Sequence, residues 1–298
     1  VAKYTIKAER HLISYTGMSY LCPSINKENV MSKEANYKII DIGNVQLRCQ
    51  ITGKADAPWV TVAHSLATDM SMWEPQLSEL AQHFQVLSFD ARGHGGSSFP
   101  NGPSAMTDLI DDVLLLWDRL NIDHSHFIGL SMGGMTGVGL ALKAPTRVKS
   151  LIACDCRLDA PDFFKNMWDQ RIEAVAAGGM EEILDQTMMT WFTQKRLDQR
   201  GALIEHVEAM IVNTPSKGYL TCVEALKGLD FKRHLSEISV PVLFIVGDQD
   251  GLHPKEMTEL AAITADAELT ILTGAAHLSN MEQPQQFNRT VLRFLLNQ

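Results

Sequence analysis

The chain has 298 residues, 45% hydrophobic and 20% charged, with a formal net charge of −9 and a pI near 5.6. That balance supports a sizeable core, excludes wholesale disorder and argues against nucleic acid or an anionic membrane as the main partner. The five cysteines are scattered and odd in number, and no apolar run approaches the roughly 18 residues that span a bilayer, so reduced thiols and a cytoplasmic location are expected.

Residues 1–36 are mixed polar sequence without a period and read as an N-terminal extension. No basic-then-apolar signal pattern occurs before Met31, and Met31 is a candidate natural start. From Tyr37 the pattern becomes regular. Lys38–Ile42 and Val45–Ile51 read as strands split by the hairpin signal Gly43-Asn44. Trp59–Ala63 is a continuous apolar strand, a helix is predicted over 72–83, and Phe84–Phe89 is the next strand. Met106, Leu109, Ile110, Val113, Leu114 and Trp117 space a helix over 106–120. A short strand at Ser125–Ile128, a helix over 135–143 and a strand at Val148–Cys154 follow.

The alternation breaks between about Asp159 and Leu235, a stretch of helical composition with Trp168 and Trp191 and no strand pattern. It resumes with strands at Val240–Val246 and Glu268–Leu272 and helices at Pro254–Ile263 and Pro284–Leu296. This order predicts an α/β fold with a mostly parallel sheet and helices on both faces. The core is placed at 37–158 and 236–298. A helical cap at 159–235 would lie over the carboxyl ends of the strands, where ligands bind in such sheets.

The segment Gly129-Leu130-Ser131-Met132-Gly133-Gly134 fits Gly-x-Ser-x-Gly between a strand and a helix. Such a sharp turn lifts the serine hydroxyl out of the sheet and aims the N–H of Met132 at the same space. A hydroxyl is a weak nucleophile and needs a base. Of the ten histidines, His277 in Gly274–Ser279 sits in a loop on the same sheet edge. Asp248 and Asp250 both follow a strand; Asp250, further into the loop, is preferred as the acid that orients the base, and Asp248 as a turn residue bonding its own backbone. The oxyanion hole is assigned to Met132 and Leu66, with Ser65 as the competing choice in His64-Ser65-Leu66-Ala67-Thr68, and His64 is read as a structural loop residue. Phe163, Phe164, Met167, Trp168 and Trp191 are candidates for an apolar pocket, with Trp168 held as a substrate contact.

Other motifs are set aside. The loop Asp90–Ser97 lacks a phosphate-loop pattern, and Asp90 and Arg92 are expected to pin it by an internal ion pair. Asp111 and Asp112 are adjacent on a helix and point apart, which disfavours a metal pair.

With these pieces assembled, the chain resembles the α/β-hydrolase family over about Lys38 to Leu296 and, within it, the 3-oxoadipate enol-lactonases. The resemblance rests on Ser65–Trp73, Asp90–Ser97, Gly129–Gly134, the cap segments Trp168–Arg171, Gly178–Met180 and Trp191–Thr193, and Gly274–Pro284. It implies an α/β-hydrolase fold with an eight-stranded sheet, the triad Ser131, Asp250 and His277, and an acyl-enzyme route on a small-molecule ester or lactone. No metal or organic cofactor is expected. Asp155 stands where that family commonly has a neutral residue and disfavours an anionic substrate unless Arg157 offsets it. Alternatives on the same fold are a general carboxylesterase, an acyl-homoserine or aromatic lactone hydrolase, a cofactor-free haloperoxidase or perhydrolase, and a non-catalytic ligand-binding protein. A haloalkane dehalogenase is disfavoured, since that chemistry needs a carboxylate where Ser131 stands.

Overall fold

The computed structural model describes residues 37–298; the expected extension over residues 1–36, with Met31, lies outside them. Apolar runs too short for helices form strands β1 (Lys38–Asp41), β2 (Gln46–Gly53), β3 (Trp59–Ala63), β4 (Gln85–Phe89), β5 (Ser125–Leu130), β6 (Val148–Cys154), β7 (Val242–Gly247) and β8 (Ala267–Leu272). They build one eight-stranded sheet in the order β1-β2-β4-β3-β5-β6-β7-β8. The β1–β2 and β2–β4 pairings are antiparallel and the others parallel. The central strands β5 and β7 are buried along their whole length, because helices cover both faces. The edge strands β1 and β8 are largely in contact with solvent.

The sheet is covered by α1 (Glu74–Leu80), α2 (Met106–Arg119) and α3 (Met132–Lys143), and after the insertion by α9 (His253–Ile263), α10 (Ser279–Glu282) and α11 (Pro284–Leu295). The insertion between β6 and β7 holds α4 (Asp162–Gly178), α5 (Leu184–Trp191), α6 (Gln194–Gln199), α7 (Ala202–Asn213) and α8 (Ser216–Lys227). Its base is closed by an isolated bridge between Asp159 and Asp230, with the Phe231 and Lys232 N–H groups donating to the Leu158 carbonyl. No helix of the described residues is long and apolar enough to cross a membrane.

Two expectations shift at element ends. The helix predicted over 72–83 opens as a 3-10 turn at Met70–Trp73, with Asp69 accepting from the Ser71 N–H, and regular α-helix begins only at Glu74, where Pro75 occupies the first turn. The helix expected from 135 starts at Met132, directly after Ser131, so no spacer separates the turn from the helix.

The expected Asp90–Arg92 ion pair is not formed. Asp90 faces β2, where it pairs with Arg48 and accepts the Met70 and Gly96 N–H groups. Arg92 faces α2, where its guanidinium grips both carboxylate oxygens of Asp112 at 2.6 Å and the Ser104 hydroxyl at 2.9 Å. The two side chains leave the loop toward different elements, and the bidentate geometry on Asp112 satisfies a buried guanidinium better than a carboxylate two residues away. Asp111, by contrast, is exposed and pairs with Lys143, so the two adjacent carboxylates do point apart.

Candidate active site

Strand register assembles the site. Ala63 lies level with Phe89 and Gly129, Leu130 with Cys154, and Cys154 with Ile245. The segments that follow these strands therefore emerge along one edge of the sheet, where ligands bind in open α/β sheets.

Ser131 occupies the turn between β5 and α3 with φ 55° and ψ −115°, a left-handed conformation that costs a non-glycine residue energy and must be held by its surroundings. Its N–H donates to the Cys154 carbonyl at 2.8 Å and its own carbonyl accepts from Met135 at 2.9 Å. The glycines are sterically required. A Cβ on Gly129 would lie 2.1 Å from the Gly133 oxygen, and one on Gly133 would lie 2.1 Å from the Ala63 oxygen. Met132 opens α3, so its N–H has no partner within the helix.

His277 is buried in the loop after β8. Its Nδ1 lies 2.9 Å from Asp250 Oδ2, which leaves Nε2 as the ring nitrogen free to exchange a proton. The loop is fixed by the buried carboxylate of Glu282, which accepts the Ala276 N–H and the N–H and hydroxyl of Thr193. Trp191 stacks beside the His277 ring, with centroids 6.3 Å apart and planes 22° from parallel.

Asp250 also serves a second imidazole: His253 Nδ1 lies 3.3 Å from the same oxygen. Burial works against the Asp250 carboxylate, but the charges of and hydrogen bonds from His277 and His253 outweigh it and hold its pKa below the ordinary value. For His253, burial lowers the pKa, while the hydrogen bond and charge of Asp250 raise it further, so it ends above 6.5. Ligand atoms of Asp250, His253 and His277 lie within 4.8 Å of one another. The Nδ1 atoms already face Asp250, so the cluster is a hydrogen-bonded one in which a cation would have to displace those bonds.

Contrary to expectation, Asp248 does not bond its own turn: its N–H donates to the Leu272 carbonyl at the end of β8, which sets its carboxylate beside the loop carrying His277, where it accepts the Gly274 N–H at 2.8 Å. Asp155 is not a cavity residue either. It is fully buried with φ 46°, and its carboxyl accepts the Gly247 N–H at 2.8 Å and the Ser279 hydroxyl. Burial and the neighbouring Asp250 charge push its pKa well above the ordinary range, against the pull of those two bonds. The expected penalty of Asp155 on an anionic substrate therefore falls away. Cys49, Cys154, Cys156 and Cys222 are free and buried.

In the loop after β3, the Ser65 N–H goes to Met72 Sδ, the Ala67 N–H to His94 Nε2 at 3.0 Å, and the Thr68 N–H to the Ser65 carbonyl. The Leu66 N–H is unengaged, and Leu66 lines the same cavity as Ser131. His64 braces the loop by accepting the Ala91 N–H on Nε2 at 2.8 Å.

The cavity has a volume of about 260 Å³. Ser131, Leu66, Asp250 and His277 border it from the sheet edge, and Phe163, Phe164, Met167, Trp168 and Trp191 from the insertion. Arg157 also lines it, but pairs with Asp159 at 3.0 Å and Glu256 at 3.5 Å and lies over the Phe163 and Phe164 rings. Sequence reasoning missed Arg171, Thr187, Tyr219 and His253 on its wall. Of these only His253, one helical turn beyond Asp250, has a readable signal.

A sheet of this order carrying a serine elbow defines an α/β-hydrolase-type enzyme. The profile of the alpha/beta hydrolase fold family matches residues 58–284, and the chain belongs to that family. Within it, the chain is similar to 3-oxoadipate enol-lactonase 2 of Acinetobacter baylyi, at 34% identity over 83% of this chain and 92% of that one. The crystal structure of the enol-lactonase from Burkholderia xenovorans superposes with a TM-score of 0.83 at 34% identity, covering 87% of this chain and all of that one. A putative carbamate hydrolase of Agrobacterium fabrum is 29% identical over 81% of this chain and 94% of its own length. The chain is a hydrolase.

Proposed function

We propose that this hydrolase cleaves a carboxylic ester through an acyl-enzyme on Ser131, and that a compact lactone is its preferred substrate. The observation that carries the reading is the convergence on one cavity of the strained Ser131, the Asp250–His277 pair and the unengaged Leu66 N–H. The lactone is favoured by the enol-lactonase relatives and by a cavity of about 260 Å³, which suits one small ring.

Ser131 Oγ attacks the carbonyl carbon as its proton passes to His277 Nε2. Asp250 stays ionised and stabilises the imidazolium. The N–H groups of Met132 and Leu66 hold the developing oxyanion, and losing one such donor costs roughly 3 kcal/mol. Collapse breaks the acyl–oxygen bond and His277 returns the proton to the alkoxide, which in a lactone stays tethered to the acyl chain. Water, deprotonated by His277, then adds to the acyl carbon, and Ser131 leaves with the proton. The insertion acts as the cap that selects the acyl group.

The test is ring opening, followed by proton release, for the enol-lactone of 3-oxoadipate, an acyl-homoserine lactone, a macrocyclic aromatic lactone and 4-nitrophenyl esters. Ser131→Ala should lower turnover at least about 10⁴-fold. Turnover of a compact lactone far above the simple esters supports the reading. Turnover that survives Ser131→Ala overturns the acyl-enzyme, and activity confined to activated esters overturns the lactone.

A further inference from the structure

A second cavity, also of about 260 Å³, lies against the loop that carries His277. It shares no lining residue with the cavity above Ser131. Lys195, Arg196 and Gln199 border it from α6, Gln249 from the turn that leads to Asp250, and Glu282 and Gln283 from the end of α10. Among the described residues no apolar side chain lines it. The cavity above Ser131, by contrast, is walled by aromatic rings and methionines.

The charges of this wall are out of balance. Both oxygens of the buried Glu282 carboxylate are already taken, by the Thr193 and Ala276 N–H groups and the Thr193 hydroxyl. Among the described residues, neither Lys195 nor Arg196 has a carboxylate within ion-pair distance. The Arg196 Nε–H is buried without a hydrogen-bond partner, a costly state for part of a guanidinium. Gln199 and Gln249 bring amide N–H groups from two further positions. What the wall lacks is a negatively charged acceptor. Its donors come from several segments, so a tetrahedral oxyanion, with acceptor oxygens on every side, fits them better than a planar carboxylate with two. Repulsion from Glu282 keeps such an anion on the α6 side.

We propose that Lys195 and Arg196 form an effector site for a phosphate group, free or esterified, and that its occupancy tightens substrate binding in the cavity above Ser131. The site goes beyond the hydrolase reading, and its effect on substrate rests on that reading. The path between the two cavities is short. Gln249 precedes Asp250 in the chain. The Glu282 carboxylate holds Ala276, the neighbour of His277, and Thr193, the cap of α6. Trp191, stacked beside the His277 ring, lies two residues before Thr193. A phosphate bridging α6 to Gln249 joins the insertion to the loops of both Asp250 and His277. An insertion anchored in this way has less freedom to lose when substrate enters, so the apparent affinity for substrate rises.

The first probe is inorganic phosphate, titrated calorimetrically into the native protein at an ionic strength held constant with chloride. Binding of roughly millimolar strength or tighter is expected. Arg196→Gln should weaken it roughly tenfold or more, the factor for one charge-assisted hydrogen bond. Lys195→Gln, at an exposed position where folding is not at stake, should weaken it less. Glycerol 3-phosphate separates the two sources: tighter binding than phosphate assigns the site to a phosphate ester, weaker binding to the free ion. With 4-nitrophenyl acetate as substrate, phosphate should lower KM roughly fivefold or more and leave kcat nearly unchanged, and Arg196→Gln should remove the effect. Absence of binding, or binding untouched by both substitutions, overturns the site. A KM that phosphate raises, the mark of competition above Ser131, or leaves unmoved overturns the coupling, and binding that depends on Arg196 then leaves the site standing alone. If no ester is turned over, the hydrolase reading fails and the coupling with it, while the titration by itself decides the site.

Discussion

At the scale of residues, one carboxylate is shared by two rings. Asp250 Oδ2 meets His277 at 2.9 Å and His253 at 3.3 Å, and the ring centres are 5.5 Å apart. A cation on His253, favoured by its raised pKa, draws on the same Asp250 charge that must stabilise the His277 imidazolium during catalysis. At that spacing two full charges would oppose each other by about 3 kcal/mol at an effective dielectric of 20. His253→Gln should therefore move the acid limb of the pH–kcat/KM profile upward. A limb that stays in place would show that His253 draws nothing from Asp250. This coupling is not written into local sequence, since only the packed structure shows that His253 and His277 share the Asp250 carboxylate. The pairs Arg48–Asp90 and Arg92–Asp112 were illegible for the same reason, since a loop charge chooses among all the elements it touches. The triad candidates were legible because strand–loop–helix order alone sends Ser131, Asp250 and His277 to one edge.

At the scale of elements, the insertion is keyed to the sheet edge by a backbone approach. Gly93 has φ 77°, and a Cβ on it would sit 2.6 Å from Gly218 Cα, while a Cβ on Gly218 would sit 2.2 Å from the Gly93 oxygen. The same contact is extended by the Ser104 N–H donating to the Thr221 carbonyl at 3.1 Å and Cys222 Sγ approaching the Arg92 carbonyl at 3.3 Å. Gly218→Ala must push α8 outward and with it Tyr219. A stability loss of about 2 kcal/mol is expected, together with a raised KM, while labelling of Ser131 by a fluorophosphonate continues because the nucleophile stands on the sheet. Thermal unfolding, kinetics and labelling of the one variant read all three; unchanged stability and KM would show the approach to be slack. Strands were readable as apolar runs because both faces of a parallel sheet are covered. The insertion was readable only as helical composition. Its five helices begin without side-chain caps except at Thr193, so its internal boundaries carry no local signal.

At the scale of the whole molecule, stability should depend on pH through histidines kept neutral in the fold. Burial lowers His64, and burial with the neighbouring His64 takes His94 down to about 3; burial, with Lys149 and His124, takes His126 down to about 4. Geometry agrees, since His64 and His94 each accept a backbone N–H on Nε2, which an imidazolium could not do. Between these values and the ordinary 6.5 the unfolded chain binds protons that the folded one refuses, so stability rises with pH across that window. Asp250, whose pKa is lowered, adds a loss of the same sign only below about 4. Asp155 and Asp112, both raised chiefly by burial, act oppositely: the folded carboxyls keep protons that the unfolded chain releases as pH climbs above about 4. A fully differential group contributes about 1.4 kcal/mol per pH unit; His94 and His126, held down to about 3 and about 4, are neutral in the fold between pH 5 and 6 and raise stability with pH there, with the two buried carboxyls opposing them. Urea midpoints taken through that range should rise with pH, and His126→Asn, at a site remote from the cavity, should flatten the slope. A flat or falling slope in the native protein would mean that the buried carboxyls dominate.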